Sequence, residues 1–321
     1  MAGQQLTANG AGTTAVAAAT PPASRRLSRV RTGQATLVSL LYLLPSLAAF
    51  TLFVFYPLVK TVYLSTYASN PFGLASEVFT GLDQYKTALT SPTYRQSLGV
   101  TLLYTLYTVP LGLLIALCLA VLANVRVRGI SVYRVAFAAT IGVSGAAASV
   151  IFLLLYNPSA GVLNYFLTSL GLPSVQWLTQ PSSALWAIAI ASIWLTLGFN
   201  FTVLLSGLQG IPEDLYESAR IDGASALRTF RSVTLPLLSP TLFFVTVIST
   251  ISAFQSFAQI HILTKGGPVN STNVVVYSIY RDAFFNFQTG YASTQAVILF
   301  LIILALTAIQ FKVLESKVFY Q

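Results

Sequence analysis

The chain contains 78 consecutive residues, from Val135 to Pro212, without a single Asp, Glu, Lys or Arg. A soluble domain of that length exposes loops to water, and those loops normally carry charge, so a soluble fold is excluded. Over the whole chain, charged residues make up 8%, whereas an ordinary soluble domain has about 25%. Residues 135–212 therefore predict an integral membrane protein.

Six segments are apolar over enough length to cross a bilayer as a helix, which takes about 20 residues. They are residues 37–59, 98–123, 135–156, 184–210, 237–261 and 292–311. We therefore expect an all-α integral membrane protein with six transmembrane helices in a domain covering 37–311. Residues 1–36 are expected to form a disordered, basic N-terminal tail and residues 312–321 a short C-terminal tail.

The distribution of Lys and Arg predicts the orientation of these helices. If both termini are cytoplasmic, the cytoplasmic segments hold 12 of these residues and the external segments hold 5. Basic residues favour the cytoplasmic side, and six spans return the chain to the side on which it began. We therefore expect both tails in the cytoplasm. The segment from Lys60 to Ser97 is then external, and the sequence is compatible with either a small folded cap or a plain connecting loop.

The connection between the fourth and fifth spans, residues 211–236, holds four of the eight acidic residues. Pro212 and the acids that follow it are typical of a helix N-terminus, where negative charge interacts favourably with the helix dipole. Gly223 predicts a break, because glycine adopts a positive φ without strain, and a second helix is expected over 224–232. Apolar residues alternate with the charges, which favours docking into a groove on a partner over a merely solvated linker.

The same connection carries a spaced pattern of residues. Three residues separate Glu217-Ser218-Ala219 from Gly223, nine more lead to Val233, and one more leads to Leu235-Pro236. This pattern resembles the EAA loop of binding-protein-dependent ABC import permeases, which reads E-A-A, three residues, G, nine residues, I, one residue, L-P. The chain departs from it at Ser218 and Val233, both mildly. The resemblance implies the six-helix architecture of type I ABC importer permeases.

In that family the loop forms a coupling helix that docks into a cleft of the ATPase subunit. The resemblance implies that Glu217 is the charged docking residue and Gly223 the turn between two helices. It also places Ala219, Asp222, Ala224 and Pro236 in this coupling segment. The sequence has no G-x-x-x-x-G-K-[ST] pattern with which to hold ATP phosphates. No cofactor is therefore expected in this chain, and ATP is expected to bind a separate ABC ATPase dimer.

The resemblance implies further partners and a location. They are a second homologous permease chain, an extracytoplasmic substrate-binding protein and the lipid bilayer, and the location is a bacterial inner membrane that the chain crosses several times. The net charge of +9 does not indicate a nucleic-acid partner, since the basic residues cluster beside the apolar spans. The chain is expected to be a transport subunit and not an enzyme.

Residues scattered along the chain narrow the resemblance to one branch of these permeases. They are Asn70-Pro71-Phe72-Gly73, Gly81-Leu82-Asp83, Asn157-Pro158, Gly266-Gly267-Pro268, Tyr280-Arg281, Glu315-Ser316-Lys317-Val318 and Tyr320-Gln321. With them the chain resembles the carbohydrate branch of these permeases, and within it the A-type (UgpA-type) subunits of glycerol-3-phosphate importers. This implies half of a pathway for sn-glycerol-3-phosphate or a glycerophosphodiester. The alternative is a neutral sugar or oligosaccharide of the maltose or trehalose type, because no Lys or Arg inside a span could hold a phosphate.

Polar side chains in the fourth and fifth spans indicate a pathway. Amides and hydroxyls are costly in lipid, so they should face other helices or a water-filled cavity. Those expected to line the pathway are Asn200, Ser252, Gln255, Ser256 and Gln259, of which the last four recur at helical spacing, with Arg281 near the external mouth. Hydrogen bonding between helices is the alternative role, favoured for the serines and equally open for the amides.

Other classes of membrane protein fit less well. An enzyme would need a nucleophile, paired carboxylates or a metal cluster at membrane depth, and the spans contain none. A secondary transporter usually couples ions through acids inside its spans, whereas all eight acids here lie outside them. A channel or structural subunit would leave the pattern around Glu217 unexplained.

Overall fold

A computed structural model of the chain describes residues 32–68, 78–125 and 127–314. Most of the predicted N-terminal tail, the Asn70–Gly73 turn and residues 315–321 of the C-terminal tail lie outside these ranges. The described part is helical almost throughout, as the sequence predicts. It divides between Tyr56 and Pro57 into two compact units.

The first unit contains helix α1 (Thr32–Phe50), which starts five residues before the predicted span, and a π-helical turn (Thr51–Phe55). Helix α2 (Tyr56–Leu64) begins at the last residue of this unit. The segment Leu41–Leu64 is long and apolar enough to cross a membrane. The first predicted span is therefore confirmed as a helix, and that helix extends beyond Lys60.

The second unit contains all other elements. They are β1 (Tyr67–Ala68), β2 (Val78–Phe79), α3 (Asp83–Thr90), α4 (Pro92–Ala123), α5 (Ile130–Ala138), a 3-10 helix (Ala139–Gly142), α6 (Gly145–Leu155), α7 (Val162–Ser169), α8 (Pro181–Gln209), α9 (Glu213–Ile221), α10 (Ala226–Thr229), a π-helical turn (Phe230–Thr234), α11 (Leu235–Phe254), α12 (Ala258–Leu263), α13 (Val275–Phe284) and α14 (Thr289–Leu314). Strands β1 and β2 pair antiparallel, Tyr67 opposite Phe79.

Helices α4 and α8 form the centre of the second unit. Small residues on α4 let the two helices approach closely. The residues buried in this contact are Ala116, Ala120 and Ala123 on α4, and Phe201, Leu204 and Leu208 on α8. Polar bonds attach the other end of α4 to the start of α13, where Ser97 Oγ accepts a bond from Asn273 Nδ2 at 2.9 Å.

The third predicted span, 135–156, is wrong as a single continuous helix. The described residues contain five helices that could each cross a membrane, and a sixth candidate is a bent pair, Ile130–Gly142 and Gly145–Leu155, with an angle of 105° between them. The cause is local, because Val143 is extended and Ser144 starts a new helix by accepting a bond from the Ala147 N–H at 3.2 Å.

The described residues of the predicted external segment, 60–68 and 78–97, form a small cap and not a plain loop. The β1–β2 hairpin and α3 pack on one another around Ser65, whose Oγ lies 2.6 Å from the hydroxyl of Tyr85. Thr294 on α14 donates to the Ser65 carbonyl at 3.0 Å. These bonds attach the cap to the first turns of α14, at the opposite end of α4 from Ala123.

Candidate functional site

The loop of residues 211–236, here the Glu217 loop, is a helix, a tight turn and a second helix. Helix α9 ends at Ile221, and Gly223 has φ +69°, the left-handed conformation that the sequence predicts for the break. The Ala224 N–H donates to the Ala219 carbonyl at 2.9 Å and closes the turn. The predicted second helix, 224–232, begins later than expected, because Ser225 caps it through the Arg228 N–H.

That second helix continues directly into the fifth span. Between them lies the π-helical turn Phe230–Thr234, in which the Leu235 N–H donates to the Phe230 carbonyl. Pro236 follows immediately, and proline has no N–H and crowds the carbonyl four residues before it. The wider turn accommodates the proline within the helix. Pro236 is therefore part of a continuous helix and not of a loop that returns the chain to the membrane.

The outer surface of the Glu217 loop combines charge with exposed apolar side chains. The Glu217 and Arg220 side chains are 61% and 68% exposed and lie 3.8 Å apart. A surface ion pair of this kind contributes little to stability, so Glu217 is not needed to hold the loop together. Ile221 is 86% exposed, and Leu215 and Leu227 are exposed as well. This surface has the mixed character of a docking site.

The residues that the resemblance assigns to coupling divide between two sides of the loop. Glu217, Asp222 and Gly223 are exposed, whereas Ala219, Ala224 and Pro236 are half-buried. Ala224 lines a cavity of about 960 Å³ between the loop and the ends of α4 and α8. Tyr216 also lines it and accepts a bond from Thr234 Oγ1 at 3.3 Å, which ties α9 to the following helix.

A second cavity, of about 380 Å³, lies between α4, α8 and the region where the fifth span is interrupted; we refer to it as the helix-break cavity. Its lining residues are Tyr104, Thr108, Val109, Ser192, Leu195, Thr196, Asn200, Ser249, Ser252, Ala253, Gln255, Ser256, Phe257, Ala258 and Gln259. The structure thus brings together five of the six predicted pathway residues. None of the lining residues carries a charge.

The predicted helical spacing of Ser252, Gln255, Ser256 and Gln259 is wrong. Helix α11 ends at Phe254, Gln255 and Phe257 have non-helical backbone angles, and α12 starts at Ala258. The four residues therefore surround the cavity from both sides of an interruption and do not form one helix face. Irregular backbone at membrane depth is stable only where protein or a water-filled cavity surrounds it, and the helix-break cavity provides that setting.

Tyr104 on α4 connects this interruption to α4 and α8 through hydrogen bonds. Its buried hydroxyl is 2.8 Å from Ser192 Oγ on α8 and 3.0 Å from Ser256 Oγ in the break. Ser256 Oγ in turn donates a hydrogen bond to Gln259 Oε1 at 3.2 Å. Tyr104 is not among the residues predicted from the sequence. The signal that marks it is a hydroxyl in mid-span, which must find a partner when buried.

Two buried carboxamides at the cavity accept hydrogen bonds from serine side chains. Asn200 is 3% exposed, and its Oδ1 accepts from Ser249 Oγ at 3.3 Å. Gln259 is 8% exposed, and its Oε1 accepts from Ser256. Both residues line the cavity, where a carboxamide N–H can donate to the oxygen atoms of a polar ligand.

Arg281 does not line the helix-break cavity. It lies on α13, where its Nη1 donates to Asn270 Oδ1 at 3.4 Å. Burial raises the pKa of the neighbouring Tyr277, and the positive charge of Arg281 opposes this rise. Phe257, which lines the cavity, stacks on His261 with ring centres 5.1 Å apart and meets Tyr280, the residue before Arg281, edge-on at 4.9 Å. The ranges with described side chains contain no group of metal ligands.

Replacing Tyr104 by Phe should slow transport several-fold and lower the melting temperature of the purified chain. The change leaves Ser192 and Ser256 without their shared partner, at a cost of about 1–3 kcal/mol, and loosens the interruption at the cavity. Tyr107→Phe is the matched control, because Tyr107 stacks on Trp186 in the same helix region and its ring remains. Equal transport rates in the two variants would show that the Tyr104 bonds have no role in transport.

The model of the family described as "Binding-protein-dependent transport system inner membrane component" matches residues 13–320. The chain belongs to this family. It is therefore a multi-pass inner-membrane component of a transport system and not an enzyme, as the sequence predicts. The predicted resemblance of the chain to permeases of this kind is confirmed over almost its whole length.

Among members of the family, the chain is similar to named permeases over most of its length. The sn-glycerol-3-phosphate transport system permease protein UgpA of Agrobacterium fabrum (strain C58 / ATCC 33970) is 37% identical over 279 residues, which covers 86% of this chain and 94% of that protein. UgpA of Brucella abortus biovar 1 (strain 9-941) is 36% identical over 281 residues, covering 87% and 94%. UgpA of Yersinia enterocolitica serotype O:8 / biotype 1B is 35% identical over 284 residues, covering 88% and 95%. The resemblance to UgpA-type permeases is confirmed.

A solved structure shows the same fold. A chain of the bacterial alginate ABC transporter, crystallised with an alginate pentasaccharide-bound periplasmic protein, superposes with a TM-score of 0.75. The two chains are 23% identical, and the match covers 89% of this chain and 96% of the other. The family member described here therefore has the fold of an ABC importer permease.

Proposed function

We propose that this permease forms half of the translocation pathway of an ATP-driven importer for sn-glycerol-3-phosphate or a closely related glycerophosphodiester. The observation that carries the cargo assignment is 35–37% identity, over 86–88% of the chain, to permeases whose names state sn-glycerol-3-phosphate. A second homologous permease chain supplies the other half. An extracytoplasmic binding protein delivers the ligand.

The Glu217 loop docks on an ABC ATPase, with both termini of the chain in the cytoplasm. Its exposed Glu217, Asp222 and Gly223 make the contact, while Ala219, Ala224 and Pro236 shape the loop from its inner side. Because the second half of the loop continues as one helix into α11 and ends at the helix-break cavity, motion at the ATPase reaches the ligand through a single rigid element. Closure of the ATPase dimer on ATP turns the pathway outward, and hydrolysis resets it.

The helix-break cavity is the part of the pathway that this chain supplies. Asn200, Ser252, Gln255, Ser256 and Gln259 present amides and hydroxyls to it. Such groups bind the hydroxyl and phosphate oxygens of a glycerol phosphate without a permanent charge, which lets the ligand leave again. Arg281 lies outside the lining of this cavity, and its place in the pathway is near the external mouth.

A neutral sugar or oligosaccharide is the second candidate cargo. The observation that favours it is the uncharged lining of the helix-break cavity, since phosphate sites in proteins commonly include Arg or Lys. Hydroxyl-rich ligands without charge make the same bonds to carboxamides and serines. The two candidates differ in one respect, namely whether a phosphoryl group is needed for transport.

The assembled importer in lipid nanodiscs, with its ATPase, second permease and loaded binding protein, tests the cargo. We expect sn-glycerol-3-phosphate or glycerophosphocholine to stimulate ATP hydrolysis several-fold, and maltose to leave the basal rate unchanged. The same preparation with an unloaded binding protein is the control. Stimulation by maltose and not by either glycerol phosphate would replace the proposed cargo with the second candidate.

A further inference from the structure

The cavity of about 960 Å³ beside the Glu217 loop, here the loop cavity, lies where two membrane helices end. Val121 and Asn124 line it at the end of α4, and Leu208 and Gln209 line it at the end of α8. At both ends the chain passes from an apolar span into a connection that carries charge. In a bilayer, such a transition marks the boundary between hydrocarbon and headgroups. The loop cavity therefore lies at the level where lipid tails meet lipid headgroups.

Part of the lining of the loop cavity is apolar. It includes Val121, Val125, Leu208, Ile211 and Phe230. Val125 follows the end of α4 and is 47% exposed, so the apolar lining continues to the outer surface of the chain. An acyl chain placed against this surface removes apolar area from water, which is favourable. This part of the cavity is suited to a lipid tail.

Arg134 on α5 brings positive charge to the same cavity. Its side chain is half-buried, and its Nε and Nη2 donate to the Ala123 carbonyl, at the end of α4, at 3.0 and 2.8 Å. A guanidinium has five N–H donors, so these bonds leave donors for a second acceptor. They also hold the side chain in one orientation. A guanidinium fixed in this way is a good partner for a phosphate group.

Arg220 on α9 is the second arginine of the lining, and Glu213 is its one acidic residue, so the lining carries more positive than negative charge. The ion pair of Arg220 with Glu217 is an exposed contact at 3.8 Å. Such a surface pair is weak and does not remove the positive charge of Arg220 from the region. The electrostatic character of the loop cavity therefore favours an anion.

We propose that the loop cavity binds an anionic phospholipid of the surrounding bilayer, with its phosphate on Arg134 and an acyl chain along the apolar lining. A phospholipid satisfies both kinds of surface at the hydrocarbon boundary, whereas a free phosphate ion would leave the apolar lining uncovered. Basic pockets between membrane helices recognise anionic headgroups by the same combination. The bound lipid contacts the Glu217 loop and the ends of α4 and α8 together. The site is separate from the helix-break cavity and does not depend on the cargo.

Photoactivatable phosphatidylglycerol, with its reactive group on an acyl chain, tests the site on the assembled importer in phosphatidylcholine nanodiscs. The sample is irradiated without ATP or cargo, and labelled peptides are identified by mass spectrometry, so the result is independent of the proposed function. The reference probe is phosphatidylcholine with the same reactive acyl chain. We expect peptides containing residues 121–125 or 208–211 to be labelled several-fold more by the phosphatidylglycerol probe.

Three variants separate the site from general attraction to a charged membrane. Arg134→Gln removes the charge and should reduce the labelling to the level of the phosphatidylcholine probe. Arg128→Gln is the matched control, because Arg128 is exposed in the same connection and does not line the loop cavity. It should be labelled like the wild type. Arg134→Lys keeps the charge but not the paired bonds to Ala123, and it should retain most of the labelling.

Four results would overturn the inference. They are equal labelling of the wild type by the two lipids, equal labelling of Arg134→Gln and Arg128→Gln, and a loss in Arg134→Lys as complete as in Arg134→Gln. The last of these would show that the bonds to Ala123, and not the charge, are responsible. The fourth is displacement of the phosphatidylglycerol probe by excess inorganic phosphate, which would identify a site for a free anion instead of a lipid.

Discussion

Replacing Glu217 by Lys is expected to abolish uptake while leaving the chain folded and inserted in the membrane. The Glu217 side chain is mostly exposed, and its only described ion pair, with Arg220, is a surface pair worth at most about 1 kcal/mol. Its loss therefore has little effect on the fold. On a partner surface the same change replaces an attraction by a repulsion, and like charges in a contact cost several kcal/mol. The loop should then lose the ATPase.

Co-purification of the ATPase with a tagged permease measures this effect together with uptake. Lys86→Glu is the matched control, because it is also a charge reversal at an exposed helical position but lies on α3, at the opposite end of the molecule from the Glu217 loop. We expect that variant to retain the ATPase. Retention of the ATPase and normal uptake in Glu217→Lys would mean that the loop is not the coupling element.

Replacing Gly198 by Ala is expected to destabilise the second unit markedly. Gly198 lies on α8 against the 3-10 helix of the bent third span, and its N–H donates to Thr140 Oγ1 at 2.8 Å. A Cβ there would collide with the same oxygen and would lie 3.0 Å from the Ala138 carbonyl oxygen and from the Ile141 nitrogen. Backbone atoms cannot rotate away, so the 3-10 helix must move. Overpacking of this kind costs about 1–3 kcal/mol, and the displaced hydrogen bond adds to it.

Thermal unfolding in detergent should show this as a melting temperature several degrees lower than that of the wild type. Gly112→Ala is the matched control, since Gly112 on α4 also faces α8 but a Cβ there would meet only Ile193 at an ordinary contact distance of 3.7 Å. That variant should melt at or near the wild-type temperature. If the two variants melt together, the close contact between Gly198 and Thr140 is not a constraint on the fold.

The membrane fold is predictable from the sequence because exclusion of charge over tens of residues has no other explanation. The bend in the third span is not predictable from the sequence. Hydropathy is averaged over a window of residues and carries no information about the direction of the helix axis. Ser144 between Val143 and Gly145 is a capping signal within an apolar run, and only the packing of α6 beside Gln259 shows that the signal is used.

The candidate site was predictable in its residue types but not in its geometry. Polar residues in lipid must face protein or water, which selects Asn200, Gln255 and Gln259, and all three line the helix-break cavity. Their arrangement depends on the interruption after Phe254, for which the sequence has no Gly or Pro signal. The contribution of Tyr104 depends on a neighbour 88 positions away in the chain, which a local pattern cannot reveal.

The Glu217 loop, 26 residues long, contains both a confirmed prediction and a wrong one. The turn at Gly223 follows from the conformational freedom of glycine, and its positive φ is confirmed. The next helix starts at Ala226, two residues later than the predicted 224, because Ser225 caps it. The resemblance places Pro236 in the coupling segment, and the π-helical turn before it makes that segment continuous with the following helix.

ATP-dependent uptake of radiolabelled sn-glycerol-3-phosphate by proteoliposomes containing the complete importer tests the central claim most directly. With ATP inside and loaded binding protein outside, we predict accumulation against a gradient for the wild type and none for Glu217→Lys. Uptake that proceeds without ATP, or that responds to an imposed ion gradient, would contradict a permease driven through the Glu217 loop.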